Sequence, residues 1–260
     1  MVKGIYISPG QDTLFDMTTL PVSPVLLHST DVPPASPGWV HQVKFDGVRC
    51  VLASVDGAVN LWSRHGTPYT RQFPEFQSLH LPQSVILDGE IIVVSSGWTD
   101  FDAVMELFMS KREDKIVRLA ATTPAHFVAF DILNINGDSV MSRPLRERQA
   151  LLSSVVGPSD VISVCQSFED GQALFESTRQ LEWEGIVSKR LESPYRPGVR
   201  SKDWVKAKHY RGSNGRGSDT SRALRLPGRT RGSNGWHGGA CSGVRVSRGK
   251  SANVRLTGDG

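Results

Sequence analysis

The feature that most constrains the fold is a lysine enclosed by two β-favouring segments. Trp39–Val43 and Val48–Leu52 are rich in β-branched and aromatic residues, and Asp46-Gly47 lies between them as a turn signal. Two strands separated by this turn place Lys44 at the end of a strand. The pattern therefore predicts a lysine held beside a tight turn, and a solvated lysine next to an ordinary turn is the alternative.

Further strands and helices follow in the order expected of an α+β domain. Turn pairs such as Asp56-Gly57 and Asn136-Gly137 separate apolar runs, and this is typical of hairpins. We therefore predict an α+β fold with mixed, largely antiparallel sheets flanked by helices. The predicted strands are Val48–Val55, Ala58–Trp62, Val85–Val94, Phe127–Leu133, 161–164, Gly185–Lys189 and Trp204–Lys208, and the predicted helical segments are 100–120, 144–155 and 168–182.

The two ends of the chain differ in composition from the body. Residues 1–38 contain many prolines, which exclude a long helix and predict extended chain lying against the body. Residues 211–260 hold twelve Gly and no apolar periodicity, and we predict that this tail is disordered. We divide the chain into a lead-in (1–20), one domain (21–210) and the tail (211–260).

Charge and cysteine content narrow the class of protein. The tail carries nine Arg and one Lys against two Asp, a net +8, so residues 1–210 carry −4 and the high pI describes only the tail. The three cysteines lie far apart, which indicates neither a disulfide scaffold nor a zinc site. No apolar run has the length of a membrane span, and we expect a cytoplasmic enzyme without membrane partners.

Lys44 is a candidate covalent nucleophile. A free lysine has a pKa near ~10.4 and is only about a thousandth deprotonated at neutral pH. A positive charge nearby favours the neutral amine, and we expect Arg49 on the next strand, or a bound metal, to supply it.

Three residues on later strands suit nucleotide chemistry. Arg64 directly follows a strand and could hold a phosphate or a ribose, although many strand-end arginines are only solvated. Glu90 is an acid inside an apolar strand, where it needs a metal, a hydroxyl or a cation as partner. Phe130 could stack on a base, or it could simply pack in the core.

The last two predicted strands bring one acid and three lysines. Glu184 stands at a strand start and is a candidate magnesium ligand, with Lys189 five residues further on. Lys206 and Lys208 share one face of their strand and repel each other unless an anion lies between them. Lysines that protect an edge strand are the alternative.

Taken in order, these motifs resemble covalent nucleotidyltransferases, and most closely the adenylation domain of bacterial ATP-dependent DNA ligases, whose fold is ATP-grasp-like. The resemblance covers about residues 20–210. It rests on Lys44-x-Asp46-Gly47-x-Arg49, Ser63-Arg64-x-Gly66, Asp88-Gly89-Glu90, Phe130-Asp131-x-Leu133, Glu184-Gly185-x-Val187-x-Lys189 and Trp204-x-Lys206-x-Lys208.

The resemblance implies ATP and nicked double-stranded DNA as substrates and Mg²⁺ (or Mn²⁺) as the metal. Lys44 would take AMP from ATP and pass it to the 5′-phosphate of the nick, and the 3′-hydroxyl would then seal the strand in DNA repair, recombination or replication. The implied contacts are Gln42 and Phe130 to adenine, Arg49 and Arg64 to phosphate and ribose, Glu90 to ribose or metal, Glu184 to metal, and Lys189, Lys206 and Lys208 to phosphates.

The sequence departs from the family at two places. Gln42 stands where many relatives have Glu, but its carbonyl can still accept a hydrogen bond from the adenine amino group. After Lys208 we recognise no strand pattern for the usual oligonucleotide-binding (OB) barrel, which a protein partner could supply. The alternatives are an RNA ligase, a capping-type nucleotidyltransferase, or a nucleotide- or DNA-binding remnant without catalysis.

Overall fold

The computed structural model describes residues 20–209 except 36 and 96, together with the backbone of four short strands outside that range. The helices are α1 (Phe101–Met109), α2 (Glu113–Thr122), α3 (Leu145–Val155) and α4 (Gly171–Gln180). The strands are β1 (Ile5–Ile7), β2 (Leu14–Asp16), β3 (Leu26–Thr30), β4 (Trp39–Val43), β5 (Val48–Val55), β6 (Ala58–Ser63), β7 (Val85–Ser95), β8 (Trp98–Thr99), β9 (Ala125–Ile135), β10 (Asp138–Ser139), β11 (Ile162–Val164), β12 (Gly185–Arg190), β13 (Arg200–Lys208), β14 (Arg245–Val246) and β15 (Leu256–Thr257).

Two sheets form the body of the described chain. The larger has seven strands in the order β10-β9-β7-β5-β6, with β11 beside β9 and β8 beside β7. The smaller has four strands in the order β3-β13-β12-β4. In both sheets the pairings are antiparallel except for β11 with β9 and β13 with β3. The predicted α+β fold with mixed, largely antiparallel sheets is confirmed.

Two predicted hairpin turns are present, and their backbone explains their residues. Asp56 and Gly57 connect β5 to β6 with φ of 50° and 80°, and Asn136 and Gly137 connect β9 to β10 with φ of 50° and 92°. Positive φ at both central residues is typical of the tight turn that matches strand twist, and Asp, Asn and Gly tolerate it best. The turns therefore fix the register of both hairpins.

The helices lie outside the sheets, with α3 on β9, α4 on β12 and α1 on β7. The single helical segment predicted over 100–120 is two helices, because Ser110 adopts an extended backbone after α1. Helix α3 begins at Leu145, one residue later than predicted, because Pro144 is the N-cap residue and has a non-helical ψ of 146°. The side chain of Asp170 accepts a hydrogen bond from Ala173 N, so α4 begins at Gly171. The helix ends at Gln180 and is shorter than the predicted 168–182.

A hydrophobic cluster joins the two sheets face to face. Val40 on β4 and Trp204 on β13 pack with Val51, Ile86 and Leu133 of the larger sheet. This cluster holds the sheets together along one side. A cleft also lies between the two sheets and is lined by residues from both of them.

A buried ion pair anchors α3 at the same junction. Arg148 and Asp131 are both 0% exposed, and the guanidinium donates to both carboxylate oxygens at 2.8 and 2.9 Å. Its remaining nitrogen donates to the carbonyl oxygens of Arg143 and Ser193 at 2.5 and 2.9 Å. The charge is thus fully hydrogen-bonded, as burial requires.

The proline-rich segment 1–38 contains a strand, β3, that the sequence did not specify. β3 pairs in parallel with β13, which confirms extended chain against the body over residues 26–30 and adds an edge strand. β13 begins at Arg200, four residues before the predicted strand Trp204–Lys208, and its pairing with β3 shifts register between Ser201 and Val205. The predicted tail lies outside the described residues, apart from the short strands β14 and β15, which pair with each other. No helix among the described residues is long and apolar enough to span a membrane.

Candidate nucleotide-binding site

Lys44 lies on the connection between the two sheets. β4 belongs to the smaller sheet and β5 to the larger one, so Asp46-Gly47 is a crossing between sheets. A Cβ at Gly47 would overlap the carbonyl oxygen of Ile91, and only glycine lets the chain pass β7 this closely. The backbone N–H of Lys44 donates to Gly185 O at 2.9 Å, which fixes the lysine against β12.

The amine of Lys44 forms an ion pair with Glu184. Nζ donates to Oε2 at 2.5 Å, and Lys208 contacts the other oxygen of the same carboxylate. Burial would raise the pKa of Glu184, but the hydrogen bonds from Lys208 and Lys44 lower it. The nearest charged partner of Lys44 is therefore an acid.

Arg49, which we expected to favour a neutral Lys44 amine, is itself paired with an acid, and its effect on Lys44 stays a prediction. Arg49 donates to both oxygens of Asp88, at 3.0 and 2.6 Å, and to Val25 O at 2.8 Å. The hydroxyl of Tyr195 also donates to Asp88, at 2.7 Å. Asp88 is thus the direct partner of the guanidinium, while the positive charge of Arg49 also acts on the pKa values of Glu90 and Lys189.

One charged cleft of about 260 Å³ lies between the sheets next to Lys44. Nine of the ten predicted site residues line it, and Glu184 reaches its edge through the ion pairs with Lys44 and Lys208. The nine lining residues are Gln42, Lys44, Arg49, Arg64, Glu90, Phe130, Lys189, Lys206 and Lys208.

The inner wall of this cleft combines a buried amine with aromatic rings. Lys189 is 1% exposed, and its Nζ donates to Phe130 O at 3.0 Å. The amine lies 4.6 Å from the centre of the Phe130 ring and 3.9 Å from that of Trp204, and burial lowers the pKa of Lys189 to about 8. Through these contacts, Lys189 holds Phe130 in place at the inner side of the cleft.

Lys206 and Lys208 face the cleft from β13, as their spacing predicted. Burial, followed by the charges of Lys208 and Lys44, lowers the pKa of Lys206. The ammonium groups of Lys44 and Lys208 share one carboxylate, Glu184, and Lys206 adds a third positive charge at this end of the cleft. Such an excess of positive charge favours an anion with several charges.

The family follows from a comparison of the sequence with known domain families. The model of the ATP dependent DNA ligase domain matches residues 30–208, more than half of the chain. The chain belongs to the ATP-dependent DNA ligase family. The resemblance seen in the motifs and the predicted enzyme class are thereby confirmed.

Individual relatives in this family cover most of the described domain. The chain is 37% identical over 194 residues to the SPbeta prophage-derived DNA ligase-like protein LigB of Bacillus subtilis, covering 73% of this chain and 68% of that protein. It is 33% identical over 198 residues to DNA ligase C2 of Mycolicibacterium smegmatis, covering 74% of this chain and 54% of that protein. The match therefore spans between about half and two thirds of these relatives.

A solved ligase structure supports the same assignment. A mycobacterial DNA ligase D complexed with ATP and MES superposes with a TM-score of 0.60 and 28% sequence identity. The match covers 73% of this chain and 60% of the solved one. The α+β fold predicted for a ligase adenylation domain is confirmed.

A second, larger cleft of about 570 Å³ adjoins this site between α3 and β11. It shares Gln42, Phe45 and Cys165 with the charged cleft. Its lining contains glutamines and serines but no charged residue, so it offers no counter-charge for phosphates. Of the two clefts, the smaller, charged one is therefore the candidate for binding a nucleotide triphosphate.

Two carboxylates at the charged cleft could take part in binding a divalent cation. The described residues include no group of three or more His, Cys, Asp or Glu placed to hold a metal by themselves. Mg²⁺ is commonly bound by one or two carboxylates together with substrate phosphates. Glu184 and Glu90 are oxygen donors at the charged cleft, and they match that arrangement.

The sequence missed three residues that shape the ligase cleft. Asp88 and Tyr195 orient Arg49, and Trp204 supports both Phe130 and Lys189. Asp88, a second acid two residues before Glu90 in the same apolar strand, was a usable signal for a buried ion pair. Trp204 belongs to a quoted motif, but the contacts of Tyr195 and Trp204 join segments far apart in the chain and could not be read from the sequence.

Glu90 provides a prediction about stability and pH. Burial raises the pKa of Glu90 to about 7, against the opposing charges of Lys44 and Arg49. Between about pH 4.5 and 7 the folded protein therefore binds more protons at this site than the unfolded chain, and its stability falls as pH rises. Glu90→Gln should increase the free energy of unfolding by about 1–2 kcal/mol near pH 8 and leave it unchanged near pH 4.5.

Urea denaturation at both pH values measures this difference. Glu113→Gln is the control, because Glu113 is exposed in a surface ion pair with Arg71. Equal effects of Glu90→Gln at both pH values would contradict the assignment of a raised pKa.

Proposed function

We propose that residues 21–210 form the adenylation domain of an ATP-dependent DNA ligase in which Lys44 is the nucleophile. One observation carries the proposal: Lys44, the candidate phosphate-binding cations and the Phe130 ring meet in a single cleft. Membership of the ligase family and the relative solved with ATP support it.

In the first step, Nζ of Lys44 attacks the α-phosphorus of ATP. A nitrogen–phosphorus bond forms, the phosphorus–oxygen bond to pyrophosphate breaks, and the amine loses a proton to water at the partly exposed mouth of the cleft. The ion pair with Glu184 must first open, and incoming phosphates can take over the contacts to Lys208 and Lys206. The lysines thus exchange the carboxylate of Glu184 for the phosphates of ATP as their partners.

The other cleft residues bind and orient ATP in this proposal. Phe130 stacks on adenine, Gln42 accepts a hydrogen bond from the base, and Arg49 and Arg64 contact ribose or phosphate. Lys189 supports the inner wall of the cleft on the side where the phosphates of ATP lie. Mg²⁺ (or Mn²⁺), held by Glu184 and Glu90, supplies neutralisation of the triphosphate charge when bound.

The later steps use nicked double-stranded DNA. AMP passes from Lys44 to the 5′-phosphate of the nick, and the adjacent 3′-hydroxyl then displaces AMP and seals the strand. A partner protein with an OB barrel would complete the enclosure of ATP and DNA. A cytoplasmic location stays a prediction.

Incubation with ATP and Mg²⁺ followed by mass spectrometry tests the first step. We expect the intact mass to increase by one AMP, and we expect the modified peptide to contain Lys44. Addition of pyrophosphate should remove the label, because the step is reversible. ATP binding without any covalent AMP would contradict the proposal and would indicate a nucleotide-binding protein without catalysis.

The same assay separates related nucleotidyltransferases. A label from GTP in place of ATP would indicate a capping-type enzyme. Transfer of AMP to nicked RNA, with none to nicked DNA, would indicate an RNA ligase. A DNA ligase should label with ATP and pass AMP to nicked DNA.

A further inference from the structure

Tyr195 belongs to a closed ring of hydrogen bonds beside the charged cleft. Val25 N donates to the Tyr195 hydroxyl at 3.0 Å, and this hydroxyl donates to Oδ2 of Asp88 at 2.7 Å. Arg49 donates to both oxygens of Asp88 at 3.0 and 2.6 Å, and it donates to Val25 O at 2.8 Å. The ring therefore begins and ends at the backbone of one residue, Val25.

The direction of each bond in this ring is fixed by the atoms that form it. A backbone N–H and a guanidinium can only donate, whereas a carboxylate and a backbone carbonyl can only accept. The Tyr195 hydroxyl accepts from Val25 N, so its single proton goes to Asp88. Tyr195 is 3% exposed and Asp88 0%, and burial raises the pKa of Tyr195 well above its ordinary value. The hydroxyl therefore keeps its proton and its two partners.

The ring connects the two sheets and limits what Arg49 can offer to a ligand. Arg49 and Asp88 lie on β5 and β7 of the larger sheet, whereas Val25 directly precedes β3 of the smaller sheet. The bonds of Arg49 use three of the five N–H groups of a guanidinium, and one N–H remains on each terminal nitrogen. Because Arg49 lines the charged cleft, these two groups are the donors that it can present there.

We propose that Tyr195 is a positioning residue that, together with the backbone of Val25, orients Arg49 for the binding of ATP. The hydroxyl holds Asp88 where this carboxylate fixes the guanidinium, and Val25 O holds the third nitrogen. Val25 lies before residue 30, where the family match begins, so part of the support for the cleft comes from outside the matched domain. The inference rests on the proposed function, since it assigns to Arg49 a contact with the ribose or phosphate of ATP.

Competition binding measures this effect without catalysis. ATP displaces a fluorescent ATP analogue in the absence of divalent metal, and circular dichroism establishes that each variant is folded. Tyr195→Phe should lower the affinity for ATP by about fivefold, the effect of one net hydrogen bond. Tyr69→Phe is the matched control, because Tyr69 does not line the charged cleft, and it should leave the affinity unchanged. An unchanged affinity in Tyr195→Phe would overturn the proposal.

A double variant separates positioning from general damage to the fold. Arg49→Lys keeps the positive charge but replaces the planar fork by a single flexible ammonium, which the ring cannot orient in the same way. Adding Tyr195→Phe to Arg49→Lys should therefore change the affinity for ATP by less than about twofold. A loss of the same size in both backgrounds would overturn the proposal, because Tyr195 would then act independently of Arg49.

The proposed function fails separately. If the wild-type protein binds ATP in this assay, responds to Tyr195→Phe as expected, and yet never forms covalent AMP, then the positioning of Arg49 stands and nucleotidyl transfer falls. If covalent AMP forms on Lys44 and Tyr195→Phe leaves the affinity for ATP unchanged, the reverse holds.

Discussion

Lys44→Arg should abolish covalent AMP formation, with a loss of more than about a thousandfold. Arginine keeps the positive charge and can pair with Glu184, so ATP binding should change little. Its guanidinium stays protonated at every accessible pH and cannot attack phosphorus. Mass spectrometry after exposure to ATP and Mg²⁺ measures the label, and displacement of a fluorescent nucleotide measures binding.

Two other lysines serve as the control and as the alternative nucleophile in this experiment. Lys202→Arg is the control, since Lys202 is exposed on β13 and does not line the charged cleft, and it should label normally. Lys189 is the rival nucleophile, because burial lowers its pKa to about 8. Its amine is held by Phe130 O and the ring of Trp204, away from open solvent. AMP found on Lys189, or retained in Lys44→Arg, would contradict the role given to Lys44.

Arg148→Met should lower the free energy of unfolding by about 3–5 kcal/mol. Methionine occupies a similar volume, but the substitution leaves Asp131 buried without its cation. The carbonyl oxygens of Arg143 and Ser193 lose their donor at the same time. Urea denaturation near neutral pH, with circular dichroism to establish that the variant folds, gives the size of the loss.

Two further variants show whether the buried charge is the cause. Adding Asp131→Asn to Arg148→Met should recover part of the loss, because the unpaired carboxylate is removed. Arg179→Met breaks the exposed ion pair with Glu176 and should cost less than about 0.5 kcal/mol. A loss below about 1 kcal/mol for Arg148→Met would show that this pair contributes little.

Local pattern was enough to predict most of the strands and turns. The pairs Asp56-Gly57 and Asn136-Gly137 require positive φ, so sequence and backbone correspond residue by residue. β3 was not predicted, because its partner β13 lies about 170 residues away in the chain and local pattern does not show such a pairing. The break between α1 and α2 was also missed, although residues 110–115 carry no apolar side chain and interrupt the helical spacing.

The candidate site was found through ordered motifs, but its charge network was not. Sequence spacing cannot show that Glu184 meets Lys44 or that Asp88 pairs with Arg49, because these pairs come from different sheets or strands. Lys189 was expected at phosphates, and its position between two rings depends on the packing of β12 against β9 and β13. Its proposed contact with phosphate stays a prediction.

The parallel edge strand has a practical consequence for fragments of this protein. The family match begins at residue 30, yet Val25 N donates to the Tyr195 hydroxyl at 3.0 Å, and Val25 O accepts from Arg49 at 2.8 Å. A recombinant fragment trimmed to the alignment would lose β3 and both bonds. It would expose one side of β13, and Arg49 would lose its backbone partner. Designs for expression should therefore begin upstream of residue 20.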